Sequence, residues 1–134
     1  MTSVILIVLD DCGLDYIQSY ISSKSNWNKH YARTPNIDAL ADNGVRFWNG
    51  TSMPWCSATR VGIHTGRYNW RTGVGSLIKG GGTAGKIQDY AYPYLPEAIQ
   101  AASRQTVKTG HFGKWHLCES GRQHSPGRFG YDNH

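Results

Sequence analysis

The hydrophobic pattern of this chain begins with an uninterrupted aliphatic run at residues 4–9, which is closed by Asp10, Asp11 and Gly13. A continuous apolar run of this length, bounded by turn residues, is typical of a strand buried on both faces of a parallel sheet. We therefore expect residues 4–9 to form a central strand, with two carboxylates at its carboxyl end.

Four further segments alternate between helical and extended patterns. Residues 34–44 have a threonine N-cap, a proline in the first turn, apolar side chains on one face and a terminal glycine, which together predict a short helix. Residues 45–48 would follow as a strand. Residues 95–103 again have helical spacing, and residues 105–112 resemble a second core strand. The alternation predicts an α/β fold with a mostly parallel sheet flanked by helices.

A cysteine begins a further predicted helix, which is the second along the chain. The helix starts at Cys56 and ends at Gly66, and Arg60 lies one turn after the cysteine on the same face. The free N–H groups and the dipole at a helix start would point at the thiol. This arrangement gathers positive potential, as a site for sulfate or phosphate needs. The alternative is a small buried cysteine without chemistry.

Length, charge and cysteine count limit the function classes. The 134 residues suffice for one domain and are too few for two. The net charge of +5 is spread along the chain, so we expect attraction to anions and no dedicated nucleic-acid binding. Three cysteines at uneven spacing argue against a disulfide framework. A zinc site would draw on Cys12, Cys56, Cys118 and His116, without a paired Cys-x-x-Cys motif.

The remaining segments carry weaker signals. The run at residues 4–9 is too short for a signal peptide or a membrane span, so we expect no membrane association. A reducing compartment suits the odd number of cysteines, and a cytoplasmic protein, or a periplasmic or secreted one that has lost its leader, is expected. Residues 14–33 are a predicted surface segment, and residues 68–94 are rich in Gly, Tyr, Asn and Thr. Within the latter, the glycine run at residues 79–82 is predicted as a flexible loop, and residues 118–134 show no predicted element.

Three clusters of chemically active side chains fall at the predicted ends of elements: Asp10 with Asp11, Cys56 with Arg60, and Lys114 with His116. Such ends can meet at one edge of a parallel α/β layer. The adjacent carboxylates would bind a hard cation, and the cationic groups would neutralise an oxyanion and its leaving group. Together they would suit ester hydrolysis at sulfur or phosphorus. The plain alternatives are a turn-capping aspartate, solvated cations and a packing histidine.

Four blocks of the chain resemble, in the same order, the sulfatase family of the alkaline phosphatase superfamily: ILIVLDDCG, TPNIDALADNGVRF, CSATRVGIHTGR and LPEAIQAASRQTVKTGHFGKWHL. The third block contains the family signature C-x-[P or A]-x-R followed by T-G-R. The resemblance spans roughly residues 4–118 and implies an alkaline phosphatase-like fold with sulfuric ester hydrolase activity. Because family members are several times longer, residues 1–134 would be the N-terminal, truncated part of one catalytic domain, with no second domain.

The resemblance also implies a modified residue and a metal. Cys56 would be oxidised to formylglycine by a formylglycine-generating enzyme, and Asp10 and Asp11 would be calcium ligands. One hydroxyl of the hydrated aldehyde would attack the sulfur of a small-molecule or glycan sulfate ester. The second hydroxyl would then expel sulfate and restore the aldehyde.

The same resemblance implies roles for the cationic side chains. Arg60 would steady the hydrated aldehyde, Lys114 would contact it and the sulfate, and His116 would lie against the sulfate or the hydroxyls. Ala58 stands where many members have proline. The remaining calcium ligands and a further lysine and histidine are missing, since the second half of the family's domain supplies them. Asp132-Asn133-His134 looks like such a ligand pair, but its setting, Gly127 to Asp132, is more similar to the G-[FY]-D segment that follows the lysine motif in relatives.

Two other function classes remain open at this point. The scaffold could hydrolyse a phosphate or phosphonate ester with Cys56 unmodified, or it could be a non-catalytic remnant that binds anions. A sheet without the second half of the domain would expose an edge and an apolar face, which predicts self-association.

Overall fold

The computed structural model describes residues 3–20, 33–78, 93–117 and 125–134, and the chain divides into two compact units, Met1–Thr51 and Ser52–His134. Helices supply most of the regular structure in the described ranges. The one β pairing found within those ranges is an isolated parallel bridge between Gly110 and Asn133. None of the helices within these ranges combines the length and apolarity that crossing a bilayer requires.

The first unit contains helix α1, Pro35–Asn43, as the sequence predicted. Thr34 precedes the helix and Gly44 ends it. The Thr34 hydroxyl donates to the Asp38 carboxylate over 3.1 Å, and the same carboxylate accepts the backbone N–H of Ser19 over 2.9 Å. Short 3-10 turns occur at Leu14–Tyr16 and Gln18–Tyr20. The first unit is therefore joined largely by polar contacts.

The predicted central strand at residues 4–9 is not confirmed, and the prediction that it is buried is wrong for the described structure. Its side chains are exposed, from 41% for Val8 to 89% for Val4, and it forms no β ladder. Residues 45–48 also form no strand. A strand needs hydrogen-bonding neighbours for its N–H and C=O groups, and no described segment pairs with either one. The mostly parallel sheet is thus not seen in the described part of the chain.

The second unit contains three α-helices within its described ranges: α2, Cys56–Thr65; α3, Asn69–Thr72; and α4, Leu95–Ala102. A 3-10 helix follows at Pro126–Phe129, where no element was predicted. The predicted start of α2 is confirmed, as is its end at Gly66, whose φ of 63° lies in the left-handed region that glycine tolerates. Helix α4 is confirmed with Ser103 as its C-cap. Helix α3 was not predicted because its four residues carry no helical period.

The hydrophobic core of the second unit surrounds α2, which contacts both α3 and α4. Its buried side chains come from α2, from the segments next to α3 and α4, and from two positions further along the chain: Val61, Val74, Ile78, Tyr94, Leu117 and Phe129. The rings of Tyr94 and Phe129 meet edge to face, with centroids 4.6 Å apart. Trp115 packs against this cluster and connects it to the candidate site.

The predicted second core strand at residues 105–112 is wrong except for the bridge at Gly110. The Asp132 carboxylate instead accepts two hydrogen bonds, one of 2.8 Å from the backbone N–H of Thr109 and one of 3.0 Å from the side-chain amide of Gln100. Hydrogen bonds from Thr109 lower the pKa of Asp132 to about 2. Hydrogen bonds to the Asp132 side chain therefore hold this segment in place of the hydrogen bonds of a β ladder. The glycine run at residues 79–82 and Cys118 lie outside the described residues.

Candidate active site

Cys56 occupies the first position of α2, directly after an extended approach. Trp55 precedes the helix with φ −123° and ψ 139°, and its side chain makes no capping hydrogen bond. The hydroxyl of Thr59 donates to the carbonyl oxygen of Met53 over 3.0 Å, which ties the approach to the first turn. Without a capping side chain, the first-turn N–H groups and the helix dipole present positive potential beside the thiol.

The start of α2 is fixed from its buried side. Ser57 is fully buried, and its hydroxyl accepts the backbone N–H of Ile78 over 3.2 Å. The side-chain amide of Asn69 donates to the carbonyl oxygen of Ala58 over 2.7 Å. Cys56 itself is a free, half-buried thiol. The helix start is thus held in place while the reactive atom stays accessible.

One face of α2 contacts three consecutive residues of the segment after Gly113. In order along the helix, the contacts join Cys56 Sγ to His116 Nδ1 (3.1 Å), the Arg60 guanidinium to the carbonyl oxygen of Lys114, and the ring of His64 to the ring of Trp115 (centroids 4.8 Å). Helix residues four apart share one face, which explains the spacing of the three contacts. The structure therefore brings together the four candidate residues that lie in the second unit.

The contact between Arg60 and Lys114 is made to the backbone. Arg60 is only 7% exposed and donates to the carbonyl oxygen, while the Lys114 residue is exposed. A buried guanidinium requires such acceptors because its desolvation is costly. Arg60 therefore holds the segment that carries the lysine and the histidine, and it contributes a fixed positive charge below that segment.

His116 adopts a backbone conformation that is unusual for a residue with a side chain. Its φ is 55°, in the left-handed region. Such conformations are found at functional sites and in tight turns. Asp11, with φ 53°, shares the feature, but so do Arg104 and Gln105 in the turn after α4. At His116 the conformation accompanies a ring directed at the thiol of Cys56, so it has a clear structural effect.

A layer of rings lies next to the contact between α2 and this segment. Tyr131 and the Nδ1 atom of His64 form a hydrogen bond of 3.0 Å, and the His111 ring lies 5.7 Å from that of His64. Burial, followed by the charges of His111 and Arg60, lowers the pKa of His64 to about 4. Burial also lowers the pKa of His111 and raises that of Tyr131. His64 is therefore neutral near pH 7.

None of the ring residues His64, His111 and Tyr131 was predicted as a site residue from the sequence. The repeated spacing of four residues from Cys56 through Arg60 could have pointed to His64, because all three share a helix face. No local pattern marks His111 or Tyr131, since the hydrogen bond of Tyr131 crosses 67 positions of the sequence.

The predicted calcium ligands Asp10 and Asp11 lie in the first unit, where both residues are exposed. Carboxylate oxygens are the donors that calcium prefers, so the pair fits the ion in kind. Two residues supply few of the about six to eight oxygen ligands that calcium takes. Within the described ranges there is no group of three or more His, Cys, Asp or Glu residues that could hold a metal.

The known proteins that this chain resembles are named as sulfatases, in agreement with its motifs. A family profile described as Sulfatase matches residues 2–133. The rat (Rattus norvegicus) steryl-sulfatase is 32% identical over 96% of this chain and 22% of its own length. An N-acetylgalactosamine-6-O-sulfatase of Bacteroides thetaiotaomicron is 33% identical over 86% of this chain and 20% of its own length. Arylsulfatase D of Homo sapiens is 30% identical over 97% of this chain and 22% of its own length.

The chain spans about a fifth of the length of these curated relatives, and the matches lie in their N-terminal part. Membership of their family implies an alkaline phosphatase-like fold, although the described residues show almost no strands. On the match over residues 2–133 and on the similarity to these relatives, the chain belongs to the sulfatase family.

Proposed function

We propose that the protein hydrolyses sulfate monoesters and that this chain carries the nucleophile, formed by oxidation of Cys56 to formylglycine. The observation that carries the proposal is the contact of 3.1 Å between Cys56 Sγ and His116 Nδ1 at the start of α2. Family membership supports sulfate ester hydrolysis in general. The relatives are named for different alcohols, so the proposed substrate is defined by its sulfate group, on a small molecule or a glycan.

The chemistry at position 56 requires a modified side chain. Oxidation of Cys56 by an external oxidant on the maturing enzyme would remove sulfur and two hydrogen atoms and add one oxygen, which converts the thiol into an aldehyde. When hydrated, formylglycine would supply two geminal hydroxyls, which no encoded side chain offers. The uncapped N-terminus of α2 favours negative charge on an oxygen at this position. The maturing partner that we propose is a formylglycine-generating enzyme.

His116 is the proposed proton acceptor. Its Nδ1 atom lies within hydrogen-bonding distance of the atom that Cys56 presents, so it can hold or accept a proton at that position. The left-handed backbone at His116 and the anchored start of α2 fix the two partners independently. Such prior positioning is what makes a general base effective.

Arg60 and Lys114 have separate proposed roles. Arg60 binds the backbone of the catalytic segment and leaves a buried positive charge below it. Lys114 is exposed, and its ammonium group would contact the sulfate oxygens as a point charge. Positive groups that are already in place at a developing oxyanion lower the barrier to its formation.

Asp10 and Asp11 are the proposed calcium ligands of this chain. The bound cation would supply positive charge for sulfate oxygens. The support for this part of the proposal is the oxygen chemistry of the pair and the family pattern around it.

The proposal is tested by co-expressing the chain with a formylglycine-generating enzyme, followed by peptide mass spectrometry and an aryl sulfate turnover assay. We expect conversion of Cys56, no conversion of the exposed Cys12, and turnover that is lost in Cys56→Ala. Cys12→Ala is the matched control and keeps the wild-type rate. An unconverted Cys56, or turnover that survives Cys56→Ala, contradicts the proposal. Phosphate ester turnover by the unmodified thiol would favour the phosphatase alternative.

A further inference from the structure

We infer that His64, held by Tyr131, is a positioning residue that fixes Lys114 and His116 through Trp115. The inference rests on the proposed function for the roles of the lysine and the histidine. His64 and Tyr131 take no direct part in the proposed chemistry.

Trp115 links the candidate site to the ring layer. It lies between Lys114 and His116 in the chain, so its orientation constrains the backbone of both neighbours. Its ring centroid lies 4.8 Å from that of His64, 5.0 Å from that of His111 and 5.3 Å from that of Phe129. The indole N–H is buried and has no hydrogen-bond partner among the described residues. Packing against these rings is therefore what orients the indole.

His64 is the member of this layer with the most restricted position. It belongs to α2, is 6% exposed, and its Nδ1 atom is hydrogen-bonded to Tyr131 over 3.0 Å. A free rotation of the imidazole would break this bond and disturb the contact with Trp115. The hydrogen bond therefore fixes the ring plane against which the indole packs.

Burial keeps His64 neutral, and the charges of His111 and Arg60 add to this effect. Arg60 precedes it by one turn, His111 and Tyr131 face it from their own segments, and His134 acts on His111. A neutral imidazole suits the hydrogen bond without adding charge beside Arg60. Packing alone would not require a polar ring here, because a leucine of similar size would avoid the desolvation of the imidazole.

The experiment compares His64→Leu and Tyr131→Phe, which remove the hydrogen bond, with His64→Gln, which keeps a hydrogen-bonding group. Tyr68→Phe is the matched control, since Tyr68 is 68% exposed. The first measurement is the pH titration of the His116 ring signals by NMR in the unmodified full chain. The second measurement is kcat and KM for an aryl sulfate in the formylglycine form.

We expect His64→Leu and Tyr131→Phe to change the His116 titration curve, with His64→Gln and Tyr68→Phe close to wild type. In the formylglycine form the first two variants lower kcat by roughly ten- to a hundredfold with little change in KM, as misplaced catalytic groups do. His64→Gln recovers most of the rate. A structural role alone would lower the unfolding midpoint and leave the titration curve unchanged.

Unchanged His116 signals in folded Tyr131→Phe and His64→Leu overturn the inference, whatever the activity. If His64→Leu does not fold, Tyr131→Phe decides the question. If the wild-type formylglycine form shows no turnover, the proposed function fails, and the NMR titration still decides whether His64 positions His116.

Discussion

The two units of this chain treat their apolar residues in opposite ways. In the described part of Ser52–His134, α2 and the segments around it bury six hydrophobic side chains in one cluster. In the described part of Met1–Thr51, the aliphatic residues 4–9 are exposed and Ile17 is the one buried hydrophobic side chain. The first unit has the more continuous apolar run, yet the second has the core.

The difference shows what each kind of element needs for burial. An amphipathic helix satisfies its own backbone and buries one face against any apolar neighbour. A strand depends on neighbouring strands for its backbone hydrogen bonds, and the described residues offer none to residues 4–9. Hydrophobicity alone therefore does not determine which segment becomes core.

The largest effect that we expect comes from matched leucine truncations in the two units. Leu117 is fully buried, and Leu117→Ala should lower the free energy of unfolding by about 2–5 kcal/mol. Leu6 is 63% exposed, and Leu6→Ala should change it by no more than about 0.5 kcal/mol. Urea unfolding followed by circular dichroism measures both. Equal losses in the two variants would show that the described contrast in burial is wrong.

A second effect depends on pH and belongs to the second unit. The pKa of His64 is lowered from 6.5 to about 4, so the unfolded chain binds this proton at a higher pH than the folded chain. The contribution of His64 to the free energy of unfolding is fully present above pH 6.5. It falls by about 3 kcal/mol as the pH approaches 4. His64→Gln should remove that loss, measured by urea unfolding at pH 7 and pH 4.5.

Two other titratable groups also contribute to the dependence of stability on pH. Burial lowers the pKa of His111, so this residue also destabilises the folded chain as the pH falls. His64→Gln keeps His111, and the loss due to His111 remains in that variant. The pKa of Asp132 is lowered from 3.8 to about 2, so its contribution is lost only in more acidic solution. A wild-type chain with equal stability at pH 7 and pH 4.5 would contradict a neutral, buried His64.

Glycine substitutions should give a smaller contrast. Gly130 has φ 90°, and an added Cβ would lie 3.2 Å from the backbone nitrogen of Glu97. Gly130→Ala should cost about 1–2 kcal/mol, the typical cost of left-handed backbone for an L-residue. At Gly50 in the first unit, no described residue other than its chain neighbours comes within 4 Å of such a Cβ, and Gly50→Ala should change stability by less than about 1 kcal/mol. Thermal unfolding of both variants checks this order.

The smallest expected effect comes from surface ion pairs, which should matter little in either unit. In the first unit the Arg46 guanidinium lies 2.8 Å from the Asp42 carboxylate, and in the second Lys108 lies 3.3 Å from Asp132. Asp42→Asn and Lys108→Gln should each cost less than about 1 kcal/mol, and less still in high salt. A loss as large as that of Leu117→Ala would mean that charge, and not burial, distinguishes the units.

The sequence predicted the helices better than the strands. Helix α2 was predicted from its first to its last residue, because a terminal glycine and the apolar period are local signals. The strand at residues 4–9 was predicted from an apolar run, and the one at residues 105–112 from a less apolar segment, but strand formation depends on partners that neither segment specifies. Helix α3 is too short to carry a period.

In the candidate site, too, residues in local motifs were predicted, whereas contacts between distant parts of the chain were not. Cys56, Arg60, Lys114 and His116 were identified from motifs, and the structure brings them together in the second unit. Asp10 and Asp11 remain predicted ligands. Tyr131 and its hydrogen bond to His64 were missed, because contacts across such sequence separations leave no local pattern.

The most direct test of the central claim is the alkylation rate of each cysteine with iodoacetamide, resolved by peptide mass spectrometry in wild type and in His116→Gln. The thiol of Cys56 lies 3.1 Å from His116 Nδ1, and Cys12 in the first unit is the internal reference. If His116 acts as a base toward position 56, His116→Gln slows alkylation of Cys56 by about tenfold or more and leaves Cys12 unchanged. Equal rates at Cys56 in the two proteins would contradict the account.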